Sequence, residues 1–224
     1  MTDYIDDLFK KICSNINNKL VWTEIESIAI NGDAEERLQV SEKLAQIHCV
    51  QTEKILIEML KDKERIIRAS ACDSLYFSHS LEVLNHLLKM ISDKTVLVRG
   101  YAFLSIGDVY CNLKEKKEIY PIIDQIIAQK FDIEQSEWVK ICIARTAFLM
   151  GNTSYLTDLL NFIHSKYYKN RCLAINLFKD LHLSTNDKLK LIKALKCQQE
   201  KESVYAVAHC INNFLTNDLK DYKT

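Results

Sequence analysis

Between Ile5 and Ile16 apolar residues return every three or four positions. Ile5, Leu8, Phe9, Ile12 and Ile16 share one face, which predicts a helix over residues 3–17. Asn17-Asn18 breaks it. Leu20 to Ile30 predicts a second helix, stopped by Asn31-Gly32. Asp33 caps a third that runs to about Cys49, with Leu38, Leu44 and Ile47 apolar.

From Gln51 the rhythm becomes regular. TEKILIEMLKD is a helix carrying Ile55, Leu56, Met59 and Leu60, and KERIIRASACDSLYF follows as its partner. Ser80 is placed to cap LEVLNHLLKMI, and Asp93 to cap KTVLVRGYAFLSIGDVYCNL. Tyr120-Pro121 opens IIDQIIAQ, since proline is tolerated in a first turn. FDIEQS reads as a longer connection. Glu137 to Met150 is a helix that Gly151 ends. Thr153 to Ser165 pairs with Lys169 to Leu181. Ser184 to Asp187 caps the next helix, and Ser203 to Leu215 is the last strong one.

The helices recur in register. Aligned on an apolar-basic-x-x-small pattern, Arg68 and Arg99 are equivalent. Lys140 and Arg171 follow less strictly, and Arg37 and Tyr205 more loosely. From Arg37 the intervals are 31, 31, 41, 31 and 34 residues, the long one assigned to the FDIEQS connection. Three positions beyond each reference stand Val40, Ala71, Ala102, Ile143, Ala174 and Ala208. Small residues at one helix position allow neighbouring helices to approach closely.

LLKMISDKTVLVRGYAFLSIG resembles a HEAT repeat, and EMLKDKERIIRASACDSL is similar to one. The family pattern has Asp in the turn, then Val-Arg, then Ala on the second helix. Asp93, Val98, Arg99 and Ala102 match it, as do Asp62, Ile67, Arg68 and Ala71. Later units keep the spacing but lose the turn Asp and, in part, the basic residue. The resemblance spans residues 33–216. It implies an all-α fold, a right-handed α-solenoid (α-α superhelix) of about six HEAT-like helix pairs. It makes 1–224 a single repeat domain, with 1–32 a divergent N-terminal cap and 217–224 a frayed tail. It also implies that Arg68 and Arg99 pair with turn Asp residues of neighbouring units, so that they hold the stack rather than a ligand.

Composition supports helix independently. Four Gly and one Pro in 224 residues are too few for the tight turns of a sheet-rich fold. Thirty basic and thirty acidic residues give zero net charge, which argues against a general nucleic-acid binder. The N-terminal residues MTDYIDDLFKKICSN lack a basic start and an apolar run, so no secretory signal is expected. No apolar stretch approaches the roughly 20 residues that span a bilayer. The eight Cys are dispersed and never form C-x-x-C, which suggests free thiols in a cytoplasmic protein.

Little in the sequence points to catalysis. The six His make no zinc spacing with Cys, so neither a metal nor a cofactor is expected. His48 and Cys49 are adjacent, which turns their side chains about 100° apart on a helix. Cys72, Cys142, Cys172 and Cys210 fall near core positions of second helices. No phosphate loop, G-x-S-x-G or Gly-rich dinucleotide loop is present. HEAT-like alkylpurine DNA glycosylases, which act in base excision, share this size and fold. They are the alternative reading, although such an enzyme needs a basic, aromatic-bearing groove and a carboxylate beside a flipped base. Trp138, at a helix start, reads as a packing residue. Lys188, Lys190, Lys193 and Lys196 spread round their helix and read as a solvated surface.

The expected function is therefore that of a non-enzymatic scaffold or adaptor, with another protein or peptide as its partner and no membrane or small-molecule substrate. One specific form is a bacterial immunity-type binder. In HEAT-like solenoids partners are often received on the concave face made by the second helices. Five positions past the reference stand Glu42, Asp73, Leu104, Arg145, Asn176 and Cys210. Nine past it stand Gln46, Phe77, Asp108, Leu149, Asp180 and Phe214. From these mixed rows Asp73, Phe77, Asp108, Arg145, Asn176 and Asp180 are the candidate partner contacts. An ordinary solvated helix face is the competing reading.

Overall fold

Asp33 shows how locally the elements are specified. Its carboxylate accepts the Glu35 and Glu36 N–H groups at 2.9 Å, and Glu36 returns a bond to the Asp33 N–H at 2.8 Å. This capping box satisfies donors that the first turn of a helix leaves open. Just before it, the Gly32 N–H reaches the Ile28 carbonyl at 2.9 Å. A Cβ on Gly32 would lie 2.6 Å from that carbonyl oxygen, so close approach, not backbone conformation, requires glycine here.

The computed structural model describes residues 2–116 and 118–218. Among them it shows thirteen α-helices and no strand. These residues fall into two compact units, residues 1–123 and 124–224. The part of the expected C-terminal tail beyond residue 218 lies outside the described residues. No helix among the described residues is long and apolar enough to cross a membrane.

In the first unit the helices are α1 (Thr2–Ser14), α2 (Lys19–Asn31), α3 (Ala34–Leu44), α4 (Val50–Met59), α5 (Arg65–Ser74), α6 (Leu81–Met90) and α7 (Val96–Asn112). Packing runs in two series. α2 meets α4 and α4 meets α6; α3 meets α5 and α5 meets α7. Each first helix also packs on its own second helix, α2 on α3, α4 on α5 and α6 on α7. The core between them is apolar, with Ile25, Leu44, Ile55, Leu56, Ile67, Leu75 and Phe103 fully buried. Ser80 caps α6 as expected, accepting the Glu82 N–H at 3.2 Å.

The helix α8 (Tyr120–Ile133) leads into the second unit, which holds α9 (Glu137–Leu149), α10 (Leu156–Phe162), α11 (Tyr168–Leu177), α12 (Thr185–Lys201) and α13 (Tyr205–Asn213). Here α9 packs on α10 and α11, and α11 on α13. Gly151 stops α9 as expected. With φ 105° it adopts a left-handed conformation that favours glycine. Its N–H bonds to the Phe148 carbonyl and that of Asn152 to Ala147, both at 3.0 Å, which closes a Schellman motif.

Three local expectations change. Asp93 does not cap α7. Thr95 holds that position, and Asp93, two residues earlier, is engaged elsewhere. FDIEQS is not a long connection, because α8 continues through Ile133. The longest interval is taken up instead by the 17 residues of α7, the 14 of α8 and the 113–119 segment between them. The last unit also shifts register. In α5, α7, α9 and α11 the reference residue is the fourth of the helix, and in α13 the fourth residue is Ala208, not Tyr205. In this register the residue three further on is Ile211, fully buried like Val40, Ala71, Ala102, Ile143 and Ala174, while Ala208 is half-buried.

Candidate functional site

A single turn device recurs along the chain. A side-chain oxygen in the turn accepts the N–H two residues later, just before the second helix begins. Asp62 accepts from Glu64 at 2.7 Å, Asp93 from Thr95 at 2.8 Å, Glu134 from Ser136 at 2.9 Å, Ser165 from Tyr167 at 3.1 Å and Glu202 from Val204 at 2.9 Å. Six residues beyond each turn oxygen stand Arg68, Arg99, Lys140, Arg171 and Ala208.

Asp62, Asp93 and Glu202 are also gripped from an earlier helix. Arg37 donates to Asp62 through Nε at 2.7 Å and Nη2 at 3.2 Å. Arg68 donates in the same two-pronged way to Asp93 at 2.8 and 3.1 Å, the pairing that the resemblance implied. Arg171 does so to Glu202 at 2.8 Å through both nitrogens. In each case Nη1 is spent on backbone carbonyls of the residue's own turn: Gly32 for Arg37, Asp62 and Lys63 for Arg68, and Ser165 and Lys166 for Arg171. Arg99 Nη1 makes the corresponding bond to the Asp93 carbonyl at 3.0 Å.

These groups are nearly dry, with the side chains of Arg68 and Asp93 8% and 10% exposed. Burial by itself raises the pKa of Asp93. The bonds from Arg68 and Thr95 outweigh it and hold the carboxyl below its usual range. Burial acts the same way on Glu202, and Arg171, Gln198 and the Val204 N–H again win.

Where the turn carries Ser165 instead of an acid, the polarity reverses. Glu137, at the start of α9, supplies the carboxylate and accepts from Ser165 Oγ and Asn170 Nδ2, both at 2.7 Å. Lys140, the reference cation of that helix, lies 5.2 Å from the centre of the Phe131 ring.

The candidate contacts are placed as follows. In the first unit Asp73 is exposed on α5 and Asp108 half-buried on α7. They are near enough to interact: the pKa of Asp73 is raised by surrounding protein atoms and, secondarily, by the Asp108 charge. Phe77 is buried and stacks on His48 at 4.2 Å, with Tyr76 edge-on to both rings. In the second unit Arg145 is buried on α9 and reaches the exposed Asp180 at 3.6 Å. Asn176 is exposed on α11 and lies 3.8 Å from Cys210 Sγ. The structure thus brings Asp73 to Asp108 and Arg145 to Asp180, while Phe77 and Asn176 have other neighbours.

Cys72 and Cys142 are buried, which pushes both thiols well above their ordinary pKa. Cys172 on α11 and Cys210 on α13 are neighbours. Burial, followed by the adjacent Cys210, lifts Cys172 to about 11. Among the described residues no group of three or more His, Cys, Asp or Glu is placed to hold a metal ion.

A further surface was not singled out from the sequence. An open groove of about 1190 Å3 lies along the starts of α9 and α11 and the α10–α11 turn. Trp138, Phe162, Tyr167 and Tyr168 line it, with Lys166 and Lys169 beside the tyrosines. Tyr167 and Tyr168 are 56% and 44% exposed. The available signal was the run SKYYK, two aromatics flanked by cations at a turn between paired helices. The expected start of the helix at Lys169 left that run in a connection.

No protein-family model matches the chain, and no curated protein matches it.

Proposed function

We propose that the chain is a non-catalytic, cytoplasmic binding scaffold, a right-handed α-solenoid of HEAT-like helix pairs that recognises a protein or peptide on the concave face of its second helices. The observation that carries this reading is the repeated join, an arginine of one second helix held by the carboxylate of a later turn. A join of this kind holds one helix pair against the next without using the candidate rows on the same helices. Of the candidate contacts, Asp73, Asn176 and Asp180 are exposed, which suits a partner with both cationic and amide groups.

The test is co-purification from source cells, followed by charge reversal. Asp73→Lys, Asp108→Lys and Asp180→Lys together should abolish recovery of a partner that the unaltered chain retains, with the helical circular dichroism unchanged. Recovery that survives all three reversals places recognition on another surface. Salt-sensitive binding to duplex DNA, with release of an alkylated base, would replace the scaffold reading with base excision.

A further inference from the structure

We propose that the groove along the starts of α9 and α11 binds an extended peptide segment in which an acidic residue stands beside an aromatic or leucine side chain. This rests on the reading of the chain as a protein-binding scaffold. It adds a second contact surface, at the turn end of the helices and not on the candidate rows.

The aromatic content comes first. Trp138 on α9, Tyr168 at the start of α11 and Tyr167 just before it face one open volume. Tyr and Trp offer large contact areas at low conformational cost, and they dominate the energetics of protein interfaces. The groove is also held in shape before anything binds. Glu137 ties together Ser165 and Asn170, and Arg171 fastens the Ser165 and Lys166 carbonyls while gripping Glu202. A partner therefore need not order the groove itself.

Charge then selects the occupant. Lys166 and Lys169 are exposed, and neither has a carboxylate within ion-pairing distance among the described residues. Lys166 Nζ sits 4.9 Å from the centre of the Tyr167 ring, which holds a cation over the aromatic surface. The charge of Arg171 is answered by Glu202. Among the described residues Glu137 is bonded to neutral donors in Ser165 and Asn170, which do not cancel its charge. The local balance is two cations against one anion. A nucleic-acid strand brings one negative charge per nucleotide and would set several phosphates against Glu137. A peptide with a single carboxylate among apolar residues matches both the excess and the aromatic wall.

The experiment uses the full chain. Displayed random peptides are selected on the unaltered protein and, in parallel, on Tyr167→Ser/Tyr168→Ser and Lys166→Glu/Lys169→Glu variants. These side chains are exposed, so the variants should keep the parent melting temperature. The peptides enriched on the unaltered protein are then synthesised and measured by fluorescence anisotropy, with an oligothymidylate as the nucleic-acid probe. The expected result is enrichment of Asp or Glu beside Phe, Trp or Leu. Affinity should fall about tenfold or more in each variant, and the oligothymidylate should show no saturable binding. No enrichment over the variants, enrichment of basic peptides, or oligothymidylate binding that the same variants weaken would each overturn the proposal. Failure here leaves the charge-reversal test of the candidate rows intact, so the two readings fall separately.

Discussion

The carboxyl of Asp93 accepts two bonds from Arg68 and two from Thr95, and its pKa is depressed as a result. A depressed folded-state pKa means that the unfolded chain takes up protons first as the pH falls. The stabilisation is therefore complete above the ordinary carboxylate pKa of about 3.9 and is lost as pH drops through the lower folded value. Asp93→Asn should cost about 3 kcal/mol in urea unfolding at pH 7, because Arg68 is left buried without its counter-charge. The gap from the parent protein should narrow below about pH 4. Asp73 behaves in the opposite sense. Its pKa is raised by burial among its surroundings and, secondarily, by the Asp108 charge, so the folded state is disfavoured once Asp73 ionises. Asp73→Asn should raise the melting temperature at pH 7, and the gain should vanish at pH values below the ordinary carboxylate range. Little of this was readable in the sequence beyond the pairing of Arg68. Asp93 resembled a helix cap, and the bond geometry that ties it to Arg68 of α5 depends on how neighbouring helix pairs pack.

At the scale of the element, most helices were legible because their apolar periodicity and their caps agree. Asp33, Ser80 and Gly151 each mark a boundary that the backbone bonds confirm. The failures came where two registers were equally plausible. In the last helix Ala208 matched the row of small residues, and the match hid a shift of three positions. The shift is testable. Ile211→Ala should cost about 3 kcal/mol, as removal of a buried branched side chain does. Ala208→Gln should stay within about 0.5 kcal/mol, as substitutions at half-exposed positions usually do. Denaturant unfolding of the two variants distinguishes the registers, since Tyr205 as the reference puts Ala208 in the fully buried row and makes Ala208→Gln costly as well. The groove was missed for a related reason. Tyr167 and Tyr168 carry no periodic signal, and their shared exposure emerges only once α9 and α11 lie side by side.

For the whole molecule, composition was the more reliable guide. Few Gly and Pro excluded a sheet-rich fold before any helix was located, and the described residues contain none of the strands such a fold would need. Zero net charge at pH 7 has a colloidal consequence, because copies of the chain then repel one another least. Solubility in polyethylene glycol should pass through a minimum within about one pH unit of neutrality and rise on either side. Architecture beyond the helical class depended on which residues recur, and three of the units depart from the best-preserved pattern. Ser165 replaces an acid, Lys140 an arginine and Ala208 any cation at all.

The joins also impose an order in time. Arg37 precedes Asp62, Arg68 precedes Asp93 and Arg171 precedes Glu202. In a chain made from its N-terminus, each guanidinium exists before the carboxylate that will hold it. A newly made helix pair therefore remains open at its leading edge until the following turn has been synthesised. At these three joins a later turn completes an earlier pair, and a chain that stops short of that turn leaves its arginine without the carboxylate.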